Sequence, residues 1–248
     1  MGQIMLAAEI AHVPSILISE REGPLKGKRA AAIQAQREIG KRARDRAADT
    51  FLVFDTHWIS HLGCHMNANT RHRRLYASHE APHMIQNMQY DYPGDPELGD
   101  AIAAELGKDG LQVLAHKVET LPLDCGTIVP MHYMNDGGWA RVLSVAAPIF
   151  ASVEENRKFG AACAREIAAS SRKVDVLASG SMSHNLVSNK QVGDGQWEQV
   201  GSQFNRQMDL RVLDLRKQRR YAEYGETELL CPYFPSSGSG QIMAEYHL

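Results

Sequence analysis

The chain has 248 residues, 44% of them hydrophobic, enough to bury a substantial core without disulfide support. Twenty-seven basic residues stand against twenty-nine acidic ones, a net charge of −2 with neither sign gathered into a tail, which excludes an extended field for nucleic acid or anionic lipid. The four cysteines are scattered with no Cys-x-x-Cys pair, against a thiolate zinc site or a disulfide framework, and no apolar run approaches the roughly 18 residues of a membrane span. The expectation is a cytoplasmic globular protein whose partner is a small molecule.

A short apolar run from Ile4 to Ile10 stops at Ala11-His12-Val13-Pro14, where Pro14 lacks an amide donor, so His12 is expected at the end of a strand. Residues 28–48, rich in Ala, Arg, Gln and Glu with Ile33 and Ile39 on one stripe, predict a helix. Thr50-Phe51-Leu52-Val53-Phe54 predicts a buried strand, and Asp55-Thr56-His57-Trp58 places His57 at or just beyond its carboxyl end, where open α/β sheets hold their ligands. Residues 67–92 are polar and aperiodic, and are expected to form a long excursion over the surface or over a site.

Pro96 to Leu106 predicts a helix with proline in its first turn, and Leu111 to His116 a strand that again closes on histidine. Further strands are expected at Val142–Ala147 and Val174–Ala178, with a helix from Val153 to Ala169 between them. A long helix from Trp197 to Arg216 and final strands near Leu229–Phe234 and Ile242–Tyr246 complete the order. The alternation indicates an α/β fold, a central mixed sheet flanked by helices. No segment is long and flexible enough to divide the chain, so a single domain spanning 1–248 is expected.

Any one histidine after a strand is most often structural, but His12, His57, His116 and His184 all follow apolar runs. Side chains at the carboxyl ends of neighbouring strands converge on a shared crevice. Two imidazoles and a carboxylate there would form the facial triad that holds iron(II) and leaves open positions for substrate and oxygen. Asp55 could orient a ligand imidazole or cap a loop, and His65 and His83 could line the excursion. His61, His72, His79 and His247 lie in polar or terminal segments and read as solvated. Ser181 and Ser183 precede His184, yet no Gly-x-Ser-x-Gly elbow exists, so a serine hydrolase ranks low. A metal-dependent hydrolase stays open, because the same ligand types hold zinc and activate water.

Ile10-Ala11-His12-Val13-Pro14-Ser15, Val53-Phe54-Asp55-Thr56-His57-Trp58, Leu177 to His184, and Phe234-Pro235-Ser236-Ser237-Gly238-Ser239-Gly240-Gln241 together resemble the class III, LigB-type extradiol dioxygenases. The likeness runs through nearly the whole chain in order, and four motifs in sequence are more specific than any one. It implies a LigB-like single catalytic domain that opens a catechol ring with O2 at a non-haem Fe(II), with a substituted catechol such as 3,4-dihydroxyphenylacetate as substrate and a homo-oligomeric assembly. By the same resemblance His12 and His57 match the histidine ligands, His184 the acid/base histidine, and His116 a pocket-lining histidine that helps with protons.

The family's third ligand is a glutamate in a Gly-Glu-Gly segment opening a further helix, and here the sequence departs from the pattern. Tyr224-Gly225-Glu226-Thr227-Glu228 passes directly into the last strands, with Glu226 the best match. Either Glu226 completes the triad, or the ligand lies in a segment this sequence lacks, or the chain is a non-catalytic subunit of a heteromeric dioxygenase. A second departure is Asp124-Cys125-Gly126, where relatives carry Asp-His-Gly; Cys125 reads as a packing residue.

Overall fold

The computed structural model describes residues 1–79, 82–180, 202–220 and 223. A six-stranded sheet runs in the order β1-β8-β2-β7-β3-β6, built from β1 (Gln3–Ile10), β8 (Lys173–Ser179), β2 (Thr50–Ser60), β7 (Arg141–Pro148), β3 (Cys64–Asn67) and β6 (Val113–His116). β1, β8, β2 and β7 are mutually parallel, whereas β3 pairs antiparallel to β7 and β6 parallel to β3, so the last two strands run against the rest. The expected mixed α/β sheet is what the chain forms.

Both faces of the sheet are covered, which explains why its central strands are continuous apolar runs. Leu52, Phe54, Leu143, Val145, Val174 and Val176 pack under α3 (Pro96–Lys108) and α5 (Val153–Ala169). On the opposite face Phe51, Val53, Val142 and Leu177 pack under α2 (Ala30–Asp45) and α4 (Cys125–Met134). The four-residue α1 (Ser15–Ile18) follows β1, and α6 (Gln203–Lys217) carries Arg216, which pairs with Glu9 of β1. No helix among the described residues is long and apolar enough to cross a membrane.

The structure departs from the sequence expectations in definable ways. Residues 67–92 are not a structureless excursion: β4 (Arg71–Tyr76) and β5 (Met88–Pro93) form an antiparallel ribbon. Its outward face holds Arg71, Arg73 and Asp91, with Arg71 bidentate to Asp91 at 2.6 and 2.7 Å, while Tyr90 and Tyr92 on the other face are buried. His72, expected to be solvated, is 3% exposed, donates from Nε2 to the Val142 carbonyl at 3.0 Å, and has its pKa lowered to about 4 by burial. The helix α4 had no periodic signature because nearly all of its side chains are buried and it contains Pro130. The expected strands at 229–234 and 242–246 and the start of the helix at Trp197 lie outside the described residues.

Asp175, in the middle of β8, is fully buried, and neither of its carboxylate oxygens has a hydrogen-bond partner. Burial raises its pKa from 3.8 to about 6, partly offset by Arg46. A carboxyl whose folded pKa lies above its unfolded value weakens the fold increasingly as pH rises from about 4 to 6, and fully above that. Asp175→Asn is therefore expected to melt roughly 2–4 °C above the parent at pH 8, with the gap closing by pH 4; an unchanged gap across a pH series of thermal melts would show that the carboxyl is not the cause.

Candidate metal centre

Ile10 of β1 and Asp55 of β2 both stand in register with Ser179 of β8, which lies between them. His12 follows two residues after Ile10, beyond the end of β1, whereas His57, expected at or past the end of its strand, lies inside β2 two residues after Asp55, where pairing with β8 has stopped, so both rings come to the same level beside Ser179. The two imidazole rings meet edge to face with centroids 4.8 Å apart. This is the carboxyl edge of the parallel strands, beside the first turn of α4, the end of such sheets at which ligands bind.

His12 is nearly buried, and its orientation is set from two sides. Gln36 on α2 donates to the Ala11 carbonyl at 2.6 Å and fixes the backbone before it. Its Nδ1 lies 2.9 Å from Ser179 Oγ. The Ser179 hydroxyl in turn donates to the Gly126 carbonyl. That carbonyl is available because Pro130, four residues on in α4, has no amide to bond it. With its proton directed at Gly126, Ser179 Oγ accepts from His12 Nδ1–H, which selects the tautomer whose Nε2 carries the ligand lone pair.

His57 is placed by an irregularity in β2. Asp55 pairs with Ala146 of β7 and Ile59 with Ala147, so Thr56, His57 and Trp58 are extra residues that bulge out of the ladder. Asp55 holds this bulge: its Oδ1 accepts from the amides of His57 at 2.9 Å and Trp58 at 3.3 Å, and its Oδ2 accepts from Thr127 Oγ1 at 2.7 Å. Thr56 Oγ1 donates to the Ser179 carbonyl at 2.9 Å. Of the two roles open to Asp55, the structure shows the capping one. Burial raises its pKa, opposed by the Thr127 and His57 hydrogen bonds. Gly126 must be glycine here, since a Cβ would lie 2.0 Å from Asp55 Oδ1.

Asp124 caps α4, its Oδ1 accepting from the Cys125 amide at 2.6 Å and from the Tyr76 hydroxyl at 2.9 Å. One ligand atom each from His57, Asp124 and Cys125 lie within 4.8 Å of one another. Cys125 is buried as a packing residue would be, yet it borders the centre. Burial and the neighbouring Asp124 push its thiol pKa strongly upward.

His116 is placed differently. It ends β6, which runs against β1, β2 and β8, so its strand end does not share their carboxyl edge. Its Nε2 lies 2.7 Å from His65 Nδ1, and its ring is 6.2 Å from that of Trp58, the neighbour of His57 in the bulge. Burial, then His65, lowers its pKa. His184 and Glu226 lie outside the described residues. A separate hollow of about 660 Å³ between the β4–β5 ribbon and the turn after α4, lined by Tyr90, Asp91, His132 and Asn135, contains neither His12 nor His57.

Ser179, Thr127 and the capping role of Asp124 join the site through contacts that no local pattern in the sequence marks. The Pro130 interruption four residues after Gly126 is an indirect signal for the first of these, because it marks a carbonyl in need of a donor.

Two imidazoles at the carboxyl edge of parallel strands suit more than one chemistry, hydrolytic or oxidative. Residues 6–243 match the family described as the catalytic LigB subunit of aromatic ring-opening dioxygenase, and the chain belongs to that family of extradiol dioxygenases. Among its relatives, the 3,4-dihydroxyphenylacetate 2,3-dioxygenase of Escherichia coli is 40% identical over 227 residues, 90% of this chain and 81% of that protein. The crystal structure of an uncharacterized protein from Escherichia coli K12 shares the fold, with a TM-score of 0.54 at 18% identity, covering 87% of this chain and 81% of that one.

Ser179→Ala removes the acceptor that selects the His12 tautomer. The expected outcome, read by nitrogen-15 NMR of the ring in metal-free protein, is a shift of His12 from a single Nδ1–H form to a mixture of tautomers; an unchanged spectrum would mean that another group holds the proton.

Proposed function

We propose that this extradiol dioxygenase cleaves a substituted catechol, with 3,4-dihydroxyphenylacetate the leading candidate, using Fe(II) held by His12, His57 and a carboxylate, with Glu226 assigned that place. The observation that carries the reading is the edge-to-face contact of His12 and His57 at 4.8 Å, made by residues from opposite flanks of β8. The donor set suits the metal: two neutral imidazoles and one carboxylate are the ligand types of iron(II) oxygenases, and the Ser179 contact favours a ligating tautomer at His12. Bound iron(II) would supply Lewis acidity toward the catechol oxygens and an electronic path between the ring and O2.

The chain's own groups do the rest. His184 takes a proton from a catechol hydroxyl and later returns one, a contribution of about 10²–10⁴-fold. His116, with its pKa lowered, is assigned an auxiliary role in proton movement through the Trp58 side of the crevice. Asp55 keeps the bulge rigid so that His57 does not swing away from His12. The product is a muconic semialdehyde. We assign the whole chain to one catalytic domain, and a homo-oligomeric assembly is part of the same proposal.

The ribbon offers a reader for the substrate's side chain. Arg71 and Arg73 both engage Asp91, whereas Arg74 lies on the same strand face as Tyr76, whose hydroxyl reaches Asp124 beside His57. We assign Arg74 to the arylacetate carboxylate.

Anaerobic loading with Fe(II), followed by 3,4-dihydroxyphenylacetate and oxygen, is expected to consume one O2 per substrate and give a yellow product. His12→Ala and His57→Ala should lose iron and turnover together; a variant lacking both rings that still turns over would refute the centre. His184→Ala should keep iron and lose most of kcat. Arg74→Ala should raise KM for 3,4-dihydroxyphenylacetate while leaving that for unsubstituted catechol unchanged, and equal effects on both would remove Arg74 from substrate reading.

A further inference from the structure

His57 borders two different sets of ligand atoms. Its ring meets that of His12, and it also lies near the Asp124 carboxylate and the Cys125 thiol, one ligand atom from each of these three residues lying within 4.8 Å of the other two. Bonds of about 2.0–2.3 Å to nitrogen, oxygen and sulfur put tetrahedral ligand atoms roughly 3.3–3.8 Å apart, so the trio needs only side-chain adjustment to close on an ion. Asp124 and Cys125 are fixed as the cap and first residue of α4. Asp124 Oδ1 accepts from the Cys125 amide and the Tyr76 hydroxyl, which steady the carboxylate, and the Cys125 thiol also hydrogen-bonds to the Asp124 side chain, a contact that a bound ion would replace.

We propose that His57, Asp124 and Cys125 form a thiophilic cation site that takes a zinc-class divalent ion and competes with the His12 side for His57. A carboxylate and a thiolate match the charge of a divalent ion, and the proton leaving the Cys125 thiol passes to solvent as the sulfur–metal bond forms. Sulfur sets the selectivity: thiolate favours zinc-class ions over harder cations such as Mg²⁺. Because one imidazole lone pair cannot serve two centres, an ion in the trio withdraws His57 from the pair with His12. That consequence, inhibition of iron loading, rests on the function proposed above; the binding itself does not.

The test uses metal-free full-length protein and Co²⁺ as a spectroscopic stand-in for zinc. The expected result is a thiolate-to-cobalt charge-transfer band in the near ultraviolet, displaced by Zn²⁺, retained in His12→Ala and lost in Cys125→Ser. Asp124→Asn, which still caps the helix, should bind roughly tenfold or more weakly. No band in the parent protein, or a band that survives in Cys125→Ser, overturns the proposal. Should Cys125→Ser not fold, X-ray absorption of the zinc-loaded parent decides: one sulfur scatterer at about 2.3 Å is expected, and a shell of nitrogen and oxygen alone refutes the site. A protein that shows the band but cleaves no catechol under iron would sink the proposed function and leave this site standing.

Discussion

The centre depends on one hydrogen-bond relay, from His12 Nδ1 through the Ser179 hydroxyl to the Gly126 carbonyl. Each member serves for a reason found elsewhere in the chain. Pro130 denies Gly126 its helical partner, the missing side chain of Gly126 makes room for Asp55, and Asp55 anchors the three-residue bulge that carries His57. The first turn of α4 thus positions both imidazoles, through the Gly126 carbonyl and the Thr127 hydroxyl. A hydrophobic helix with a proline in its interior would ordinarily be a weak element. Here burial of almost every side chain holds it in place, and the defect supplies the acceptor that the site needs.

Much of the fold was legible because burial and capping leave marks in composition. The helix α5 runs from Val153 to Ala169 as expected, its start marked by a reciprocal capping box between Ser152 and Glu155. The central strands announced themselves as unbroken apolar runs, since both of their faces are covered. The β4–β5 ribbon did not, because its outer face carries Arg71, Arg73 and Asp91 and its inner face is made of His72, Arg74 and tyrosines that read as polar. The helix α4 was invisible for the opposite reason: with no solvent face it shows no period.

The two histidines that meet could be found from position alone, as strand-end residues after Ile10 and Asp55, but strand direction could not. His116 met the same criterion and lies at the end of a strand of opposite sense, because a strand's polarity in the sheet is set by its pairing with β3 and β7 and not by its own residues. Asp55 illustrates a second limit. Its two roles, orienting a ring nitrogen or capping a turn, demand the same residue at the same spacing, and only the amide contacts to His57 and Trp58 separate them. Ser179 belongs to a third kind, a hydroxyl whose importance arises wholly from partners 53 and 167 residues away.

Those separations bear on how the centre forms. His12, His57 and Ser179 occupy three adjacent strands that are distant in sequence, and the Thr56 hydroxyl reaches a carbonyl 123 residues on. No local segment can assemble the pair, so the imidazoles come together only when β8 lies between β1 and β2, a pairing of residues far apart in the chain. The unfolded chain consequently has no preformed site, and any ion bound there stabilises the entire sheet by mass action and not one loop of it. The reverse also holds. Loosening the β1–β8–β2 register would move His12 and His57 apart, so any ion held between them would be released by an opening of these strands and not only by global unfolding.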